Sequence, residues 1–521
     1  MPLADEEPLG GPVTGEPADG ASAATRQIRD SSLLLVGRVV ALVINVTTQV
    51  VMVRALSKTD YGAFAYALTI ATLARTLVSF GEDQALTRFL AIYEEKREYD
   101  KLFGTFVMAT VKIVATSALL IGVLFAVEGS LVGSLVDDPD AVALLLILVF
   151  LAPIDALDRM IEGSFAVFSR PATIFFRKYL MEPGLRLAAV VAVVVLGRDA
   201  TVLAVGYVLG ALAGMIVYAL ALRGVLRQGG LLARFDRRQL SFPIRAYFGF
   251  SLPLLSTELV NIVVSTVCVV LLGQRQGTAE VADFRAIFPA ARLNQLVIFT
   301  FAMLFTPMAA RFHARGDADG LRSAYWRTAM WLAVFSFPVF ALTGPFATPV
   351  TVTMFGERYA SSAPYLAVLA TGYFVNAALG FNALTLQVVG RLGWVTKVNV
   401  FVVVLHVALA LVLVPRHGAM GAAVAIAVTL VVQNLLNQAG LAALGIGLLT
   451  RDAAAVYGVV VAAAAVLGAV AWASSPTLLV AIPLAGAASI GVIATNRRRL
   501  QTGDVFPELM RVPLLRRLLR S

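Results

Sequence analysis

Apolar stretches of roughly 20 residues recur about fourteen times along this chain, and basic residues collect in alternate gaps between them. A stretch of that length crosses a bilayer core, and few water-soluble folds could hide so many. In lipid every backbone amide needs a partner within the chain, so each stretch is expected to be a helix. The short alternating strands of a membrane barrel do not occur in the pattern. Composition agrees: 59% of residues are hydrophobic and 14% are charged, with a mean hydropathy of +0.83. The chain reads as an all-α polytopic membrane protein with spans near 31–53, 61–80, 102–127, 141–168, 172–197, 200–222, 246–272, 282–308, 325–354, 361–387, 395–414, 418–446, 453–472 and 476–495.

Orientation follows from Lys and Arg. The gap after the sixth span alone holds Arg223, Arg227, Arg234, Arg237, Arg238 and Arg245. All the gaps after odd-numbered spans together hold only Arg54, Lys58, Arg198, Arg275, Arg358 and Arg416. Arg26 and Arg29 precede the first span, and a run of arginines from Arg497 follows the last. The positive-inside rule puts both termini in the cytoplasm and makes the span count even, in a multi-pass protein of the cytoplasmic (inner) membrane. The net charge of +10 is thus cytoplasmic-face charge, and no basic block interleaved with aromatics suggests nucleic acid. A single cysteine, Cys268, inside an apolar run leaves no disulfide framework or metal cluster and reads as a small hydrophobe. Residues 1–25, acidic and rich in Pro, Gly and Ala, read as a disordered cytoplasmic tail, and 497–521 as a basic amphipathic segment on the inner leaflet.

A weak repeat appears at an offset of about 220 residues, the kind of symmetry that places a transporter's substrate at the repeat interface. SSLLLVGRVVALVINVTTQVV from Ser31 aligns with SLPLLSTELVNIVVSTVCVVL from Ser251, so that Leu34 and Leu35 match Leu254 and Leu255. The next helices open TDYGAF and ADFRAI, placing Asp60 opposite Asp283. Two six-helix lobes follow, 26–222 and 246–446, joined by a cytoplasmic linker at 223–245, with two extra helices at 447–496.

A charge at a helix centre costs a few kcal/mol in a membrane, so basic residues inside spans face protein or water. Arg38, Arg75, Lys112, Arg285 and Arg292 are the candidates for a cationic cavity. On the first span Arg38, Asn45 and Gln49 fall within about 40° of helix surface. On the seventh Ser251, Glu258 and Ser265 form a similar stripe with Asn261 at its edge. These polar stripes line the space between lobes or, alternatively, lock the helices together. Arg285 and Arg292 share one face of span eight with Phe288 and Phe299. Guanidiniums match phosphate in bidentate geometry, so the expected ligand is a phosphate or pyrophosphate head group. A second set, Asp155, Asp158, Arg159, Glu162, Glu182 and Arg186, has the spacing of ion pairs and reads as a charge network near the cytoplasmic mouth.

The run VVMVRALSKTDYGAFAYALTIATLARTLVSFGEDQALTRFLA, with Arg54, Asp60, Tyr61, Gly62, Phe64, Gly81, Ala85, Leu86 and Arg88, resembles the first hairpin of prokaryotic polysaccharide biosynthesis proteins, the O-antigen or lipid-linked oligosaccharide flippases. LQVVGRLGWVTKVN, with Gly390 and Arg391, is similar to that family's turn between spans ten and eleven. The resemblance covers residues 28–495, is sharpest in the first hairpin, and extends to a superfamily that includes the lipid II flippase and multidrug and toxin extruders. It implies a V-shaped pair of lobes, alternating access, and outward movement of a polyprenyl-pyrophosphate oligosaccharide for cell-surface polysaccharide such as lipopolysaccharide. It also implies work alongside polysaccharide assembly enzymes. No cofactor is expected; sodium or a proton is the coupling ion it allows. The hairpin motif reads as serving the fold. A cation-coupled extruder of the same fold is the alternative, which the excess of cations over Glu258 disfavours. An enzyme would need a larger catalytic loop; His313, His406 and His417 form no cluster and no phosphate-binding P-loop occurs.

Overall fold

The computed structural model describes residues 18–79, 82–131, 138–168, 175–197 and 199–500, and among these the regular elements are helices. The expected C-terminal surface helix therefore lies outside the described residues. Helix α1 spans Ala18–Ala55, so part of the segment expected to be a disordered tail is helical. Its alanines, the best helix formers, extend the first span beyond its apolar stretch.

The first lobe continues with α2 (Lys58–Ser79), α3 (Glu82–Glu95), α4 (Tyr99–Ala126), α5 (Pro139–Leu148), α6 (Leu151–Val167), α7 (Phe175–Leu196) and α8 (Ala200–Gln228). Helix α3 corrects the expectation of a loop between spans two and three. Its Glu, Gln, Ala and Leu residues favour helix while its charges keep it below any hydropathy threshold. The second lobe comprises α9 (Ile244–Gln276), α10 (Thr278–Arg292), α11 (Leu296–Ala314), α12 (Ala318–Thr343), α13 (Ala347–Phe355), α14 (Ala363–Ala378), α15 (Asn382–Val388) and α16 (Leu392–Ala442). Helices α17 (Arg451–Ser474) and α18 (Leu478–Leu500) pack on α12, where Trp331 Nε1 donates to the Leu500 carbonyl at 2.9 Å.

Among the described residues, eleven helices are long and apolar enough to cross a membrane. Helix α16 is two such spans meeting at Gly418, whose φ of 52° only glycine adopts at little cost. With α9 and the broken pair α10–α11, this brings the number to the expected fourteen. The protein is a multi-pass membrane protein of two six-helix lobes in a V, plus two helices.

The lobes meet where α2 lies against α10, the two helices that correspond in the repeat. A Cβ on Gly62 would stand 1.9 Å from the Thr278 carbonyl oxygen, so the backbones touch. One apolar core runs through both lobes here, from Met52, Tyr61 and Phe64 to Leu272, Ile287 and Ile426. Outside, Val195, Trp472 and Leu479 stand exposed, as lipid-facing side chains should.

Candidate substrate cavity

Span eight is discontinuous. Pro289 lies inside α10, and a 3₁₀ turn at Leu293–Gln295 separates α10 from α11. Proline deprives the helix of a backbone bond and crowds the preceding turn, which is where such breaks form. Breaks of this kind at membrane depth are tolerated where they border protein or a cavity.

A cavity of about 350 Å³ opens between the lobes at this break. Gln49 and Met52 from α1 and Tyr61 and Phe64 from α2 form one wall, and Arg285, Phe288, Arg292 and Leu296 form the other. The Arg285 and Arg292 guanidiniums flank the Phe288 ring at 5.8 and 5.7 Å from its centroid. Among the described residues neither has a carboxylate partner. The Gln49 amide donates to the Tyr61 hydroxyl at 2.6 Å and to the Arg285 carbonyl at 3.3 Å, tying both lobes to one wall.

A second cavity of about 160 Å³, within the first lobe, shares Leu68 and Arg285 with the first. Arg75, Asp155, Arg177, Glu182, Arg186 and Tyr207 line it. The charged groups are largely paired: Arg75 with Asp155 at 3.8 Å, Arg186 with Glu182 at 2.8 Å, and Arg177 with Asp158 at 2.8 Å and Glu182 at 3.5 Å. Lys178 pairs with Glu162 nearby. The start of α7 is a π-helical turn, Phe175–Met181, which buries Arg177 and Tyr179. Of the residues expected to form a network, Glu182 and Arg186 pair within their own helix, whereas Asp155 pairs with Arg75 of α2 and Asp158 with Arg177, and Arg75, Asp155, Arg177, Glu182 and Arg186 wall the cavity. Arg159, one turn from Asp155, lies on neither cavity wall.

The remaining candidates separate. Arg38 is exposed, and its Nε donates to the Tyr179 hydroxyl at 3.4 Å, away from both cavities. Asn45 is exposed on α1. Lys112 Nζ donates to the Ser79 carbonyl at 3.0 Å, at the end of α2, where helix carbonyls lack partners. The side chains of Glu258, Asn261 and Ser265 lie outside the described residues. Tyr61, Phe64 and Tyr207 were not among the sequence candidates, although Tyr61 and Phe64 carried a signal within the hairpin motif; Arg177 stands in the same sequence cluster as Glu182 and Arg186.

The ends of the lobes reached by the loops after odd-numbered spans are sealed by polar contacts. Arg54 Nε donates to the Met354 carbonyl at 2.9 Å and its Nη2 to that of Thr353, in the last turn of α13. Arg358 returns the contact, with Nη2 donating to the Leu56 carbonyl at 2.7 Å and to that of Val53, where α1 ends. Each guanidinium thus caps a helix C-terminus of the other lobe, the end that favours a cation. Beside this clasp, Lys58 pairs with Asp283 at 2.7 Å, and the Ser362 hydroxyl donates to Asp283 at 2.9 Å. At the opposite end α3 meets α9 through aromatic contacts: Arg88 lies 4.3 Å from the Phe250 ring centroid, and Phe89 5.8 Å from that of Tyr247.

Two lobes around polar cavities, sealed at one end by groups that can separate, define a helical membrane transporter fold. By sequence, residues 28–313 match the family model described as Polysaccharide biosynthesis protein, and the chain belongs to that family. Residues 253–412 also match the MatE model. An uncharacterized membrane protein of Methanocaldococcus jannaschii, MJ1068, is 22% identical over 393 residues, which are 70% of this chain and 74% of that one. Among solved structures, the lipid II flippase MurJ in an inward closed conformation superposes with a TM-score of 0.69 at 12% identity, over 89% of this chain and 98% of that one. An inward-facing multidrug resistance MATE transporter gives 0.62 at 16% identity, over 78% and 95%. At these identities the likeness is one of fold.

Proposed function

We propose that the protein is a flippase that moves a polyprenyl-pyrophosphate-linked oligosaccharide from the cytoplasmic to the outer leaflet of the inner membrane. The observation that carries this reading is the pair Arg285 and Arg292 on the wall of the inter-lobe cavity, without a carboxylate partner among the described residues. Unpaired guanidiniums at membrane depth are costly unless an anion meets them, and a diphosphate offers bidentate acceptors to both. The rest of that wall is apolar and suits the start of an isoprenoid chain. The clasped face is the outer one in this reading, so the cavities do not open outward in this state. Parting of the Arg54–Arg358 clasp releases the cargo outward, driven by membrane potential or an ion gradient. The product supplies polysaccharide assembly enzymes at the outer surface.

The test is translocation of a labelled polyprenyl-diphosphate oligosaccharide by purified protein in liposomes, beside Arg285→Ala and Arg292→Ala. Each variant should lose about 10- to 100-fold in affinity for the lipid diphosphate, the worth of a charge-assisted hydrogen bond. Unchanged transport in folded variants would overturn the site. The MatE match favours a second reading, efflux of organic cations. Cation efflux without lipid transport would establish that reading, against a wall whose charge repels such cargo.

A further inference from the structure

We infer that the cavity within the first lobe holds the sugar ring attached directly to the diphosphate, so that the chain selects glycosylated over bare lipid diphosphate. The inference rests on the flippase reading and assigns to it a compartment for the saccharide.

Three observations meet in this cavity. It shares Arg285 with the inter-lobe cavity, so an anion held by that guanidinium stands at the junction of the two spaces. Beyond Arg285 its wall is polar and its charges are paired: Arg75 with Asp155, Arg186 with Glu182, and Arg177 with Glu182 and with Asp158 behind the wall. Such a wall repays neither an alkyl chain, which leaves the charges unsolvated, nor a second anion, which meets two carboxylates. It suits an uncharged ring rich in hydroxyls, since a paired carboxylate keeps spare lone pairs and a paired guanidinium spare N–H donors. The third observation is Tyr207. It is 8% exposed, lines the cavity, and packs its ring edge-on to Phe64 at 5.2 Å. Its hydroxyl makes no hydrogen bond to any described residue. The hydroxyl of this largely buried tyrosine faces an open polar space, where it is free to bond a ligand or water. The inter-lobe cavity, with Met52, Phe64, Phe288 and Leu296 on its walls, takes the lipid side of the same diphosphate. The cargo is thereby divided at Arg285: isoprenoid toward α1 and α10, saccharide toward α6, α7 and α8.

The experiment compares binding of two probes to the purified full-length chain in nanodiscs: a short polyprenyl diphosphate, and the same lipid diphosphate carrying one hexose or N-acetylhexosamine. The wild type should bind the sugar-bearing probe about tenfold more tightly, the worth of one or two net hydrogen bonds. Tyr207→Phe, which removes an unpartnered hydroxyl and so leaves the packing in place, should narrow that gap severalfold. Ala211→Leu, which fills the cavity, should close it. Equal binding of the two probes by the wild type, or a gap that survives Ala211→Leu, overturns the inference while the flippase reading stands. Failure of the wild type to bind either probe overturns both.

Discussion

Lys58 and Asp283 belong to different lobes, and their side chains meet at 31% and 6% exposure. An ion pair so placed is worth more than a surface pair and less than a fully buried one, roughly 1–3 kcal/mol once solvent screening at Lys58 is allowed for. Its use is to hold the lobes closed at that end. In a Cys268→Ala background, Ala282→Cys reports on the seal, since Ala282 is fully buried on α10. Lys58→Met should raise its labelling by a membrane-impermeant maleimide several-fold. The exchange Lys58→Asp with Asp283→Lys should bring it back; a rate that ignores both changes would remove the pair from the gate. Lys112 belongs to a different argument. As a cap on the α2 C-terminus it contributes about 1 kcal/mol, so Lys112→Met should lower the melting temperature and spare lipid-diphosphate affinity. Lost affinity in a folded variant would return it to the site. At this scale Arg285 and Arg292 were legible because a charge inside a span announces its own cost. Tyr207 was not, and Tyr61 showed only as part of the hairpin motif, because a tyrosine is an ordinary membrane-helix residue until a structure shows what its hydroxyl faces.

Among the elements, the α2–α10 crossing depends on one missing side chain. Any Cβ at position 62 meets the Thr278 carbonyl, part of a backbone held by its own helix. Gly62→Val should therefore part the two helices at the seal and increase labelling of the Ala282→Cys reporter at least as much as Lys58→Met does. Labelling at the wild-type level would mean that α10 yields without opening. The hairpin motif holding Gly62 thus serves the fold by allowing close approach of the lobes. Apolar stretches predicted the spans well, since hydropathy is what inserts them. They did not predict α3 or the first turns of α1, which form helix by propensity without an apolar stretch to announce them. The 3₁₀ break after Arg292 had a visible cause in Pro289, but its place beside the cavity did not.

For the whole molecule, the two ends of the lobes are closed by different chemistry, helix caps and an ion pair at one end and aromatic contacts at the other. Alternating access requires that these seals exchange, so weakening one should shift the population toward the other state. Spin labels at Thr59→Cys and Ser361→Cys, both exposed on the clasped face, should show a longer distance in Arg54→Ala/Arg358→Ala than in the parent. An identical distance distribution would show that the clasp does not set the equilibrium. The sequence by itself determined the membrane spans, their alternation, the two-lobe plan and the two arginines inside span eight. These follow from the cost of putting each residue type in lipid, a cost that each segment carries alone. Only the tertiary structure decided that Lys112 caps a helix, that the charge network walls a cavity, and that Arg54 and Arg358 clasp the lobes. Those roles depend on the rotation and approach of helices distant in sequence, set by small residues such as Gly62 and by which donors find open carbonyls.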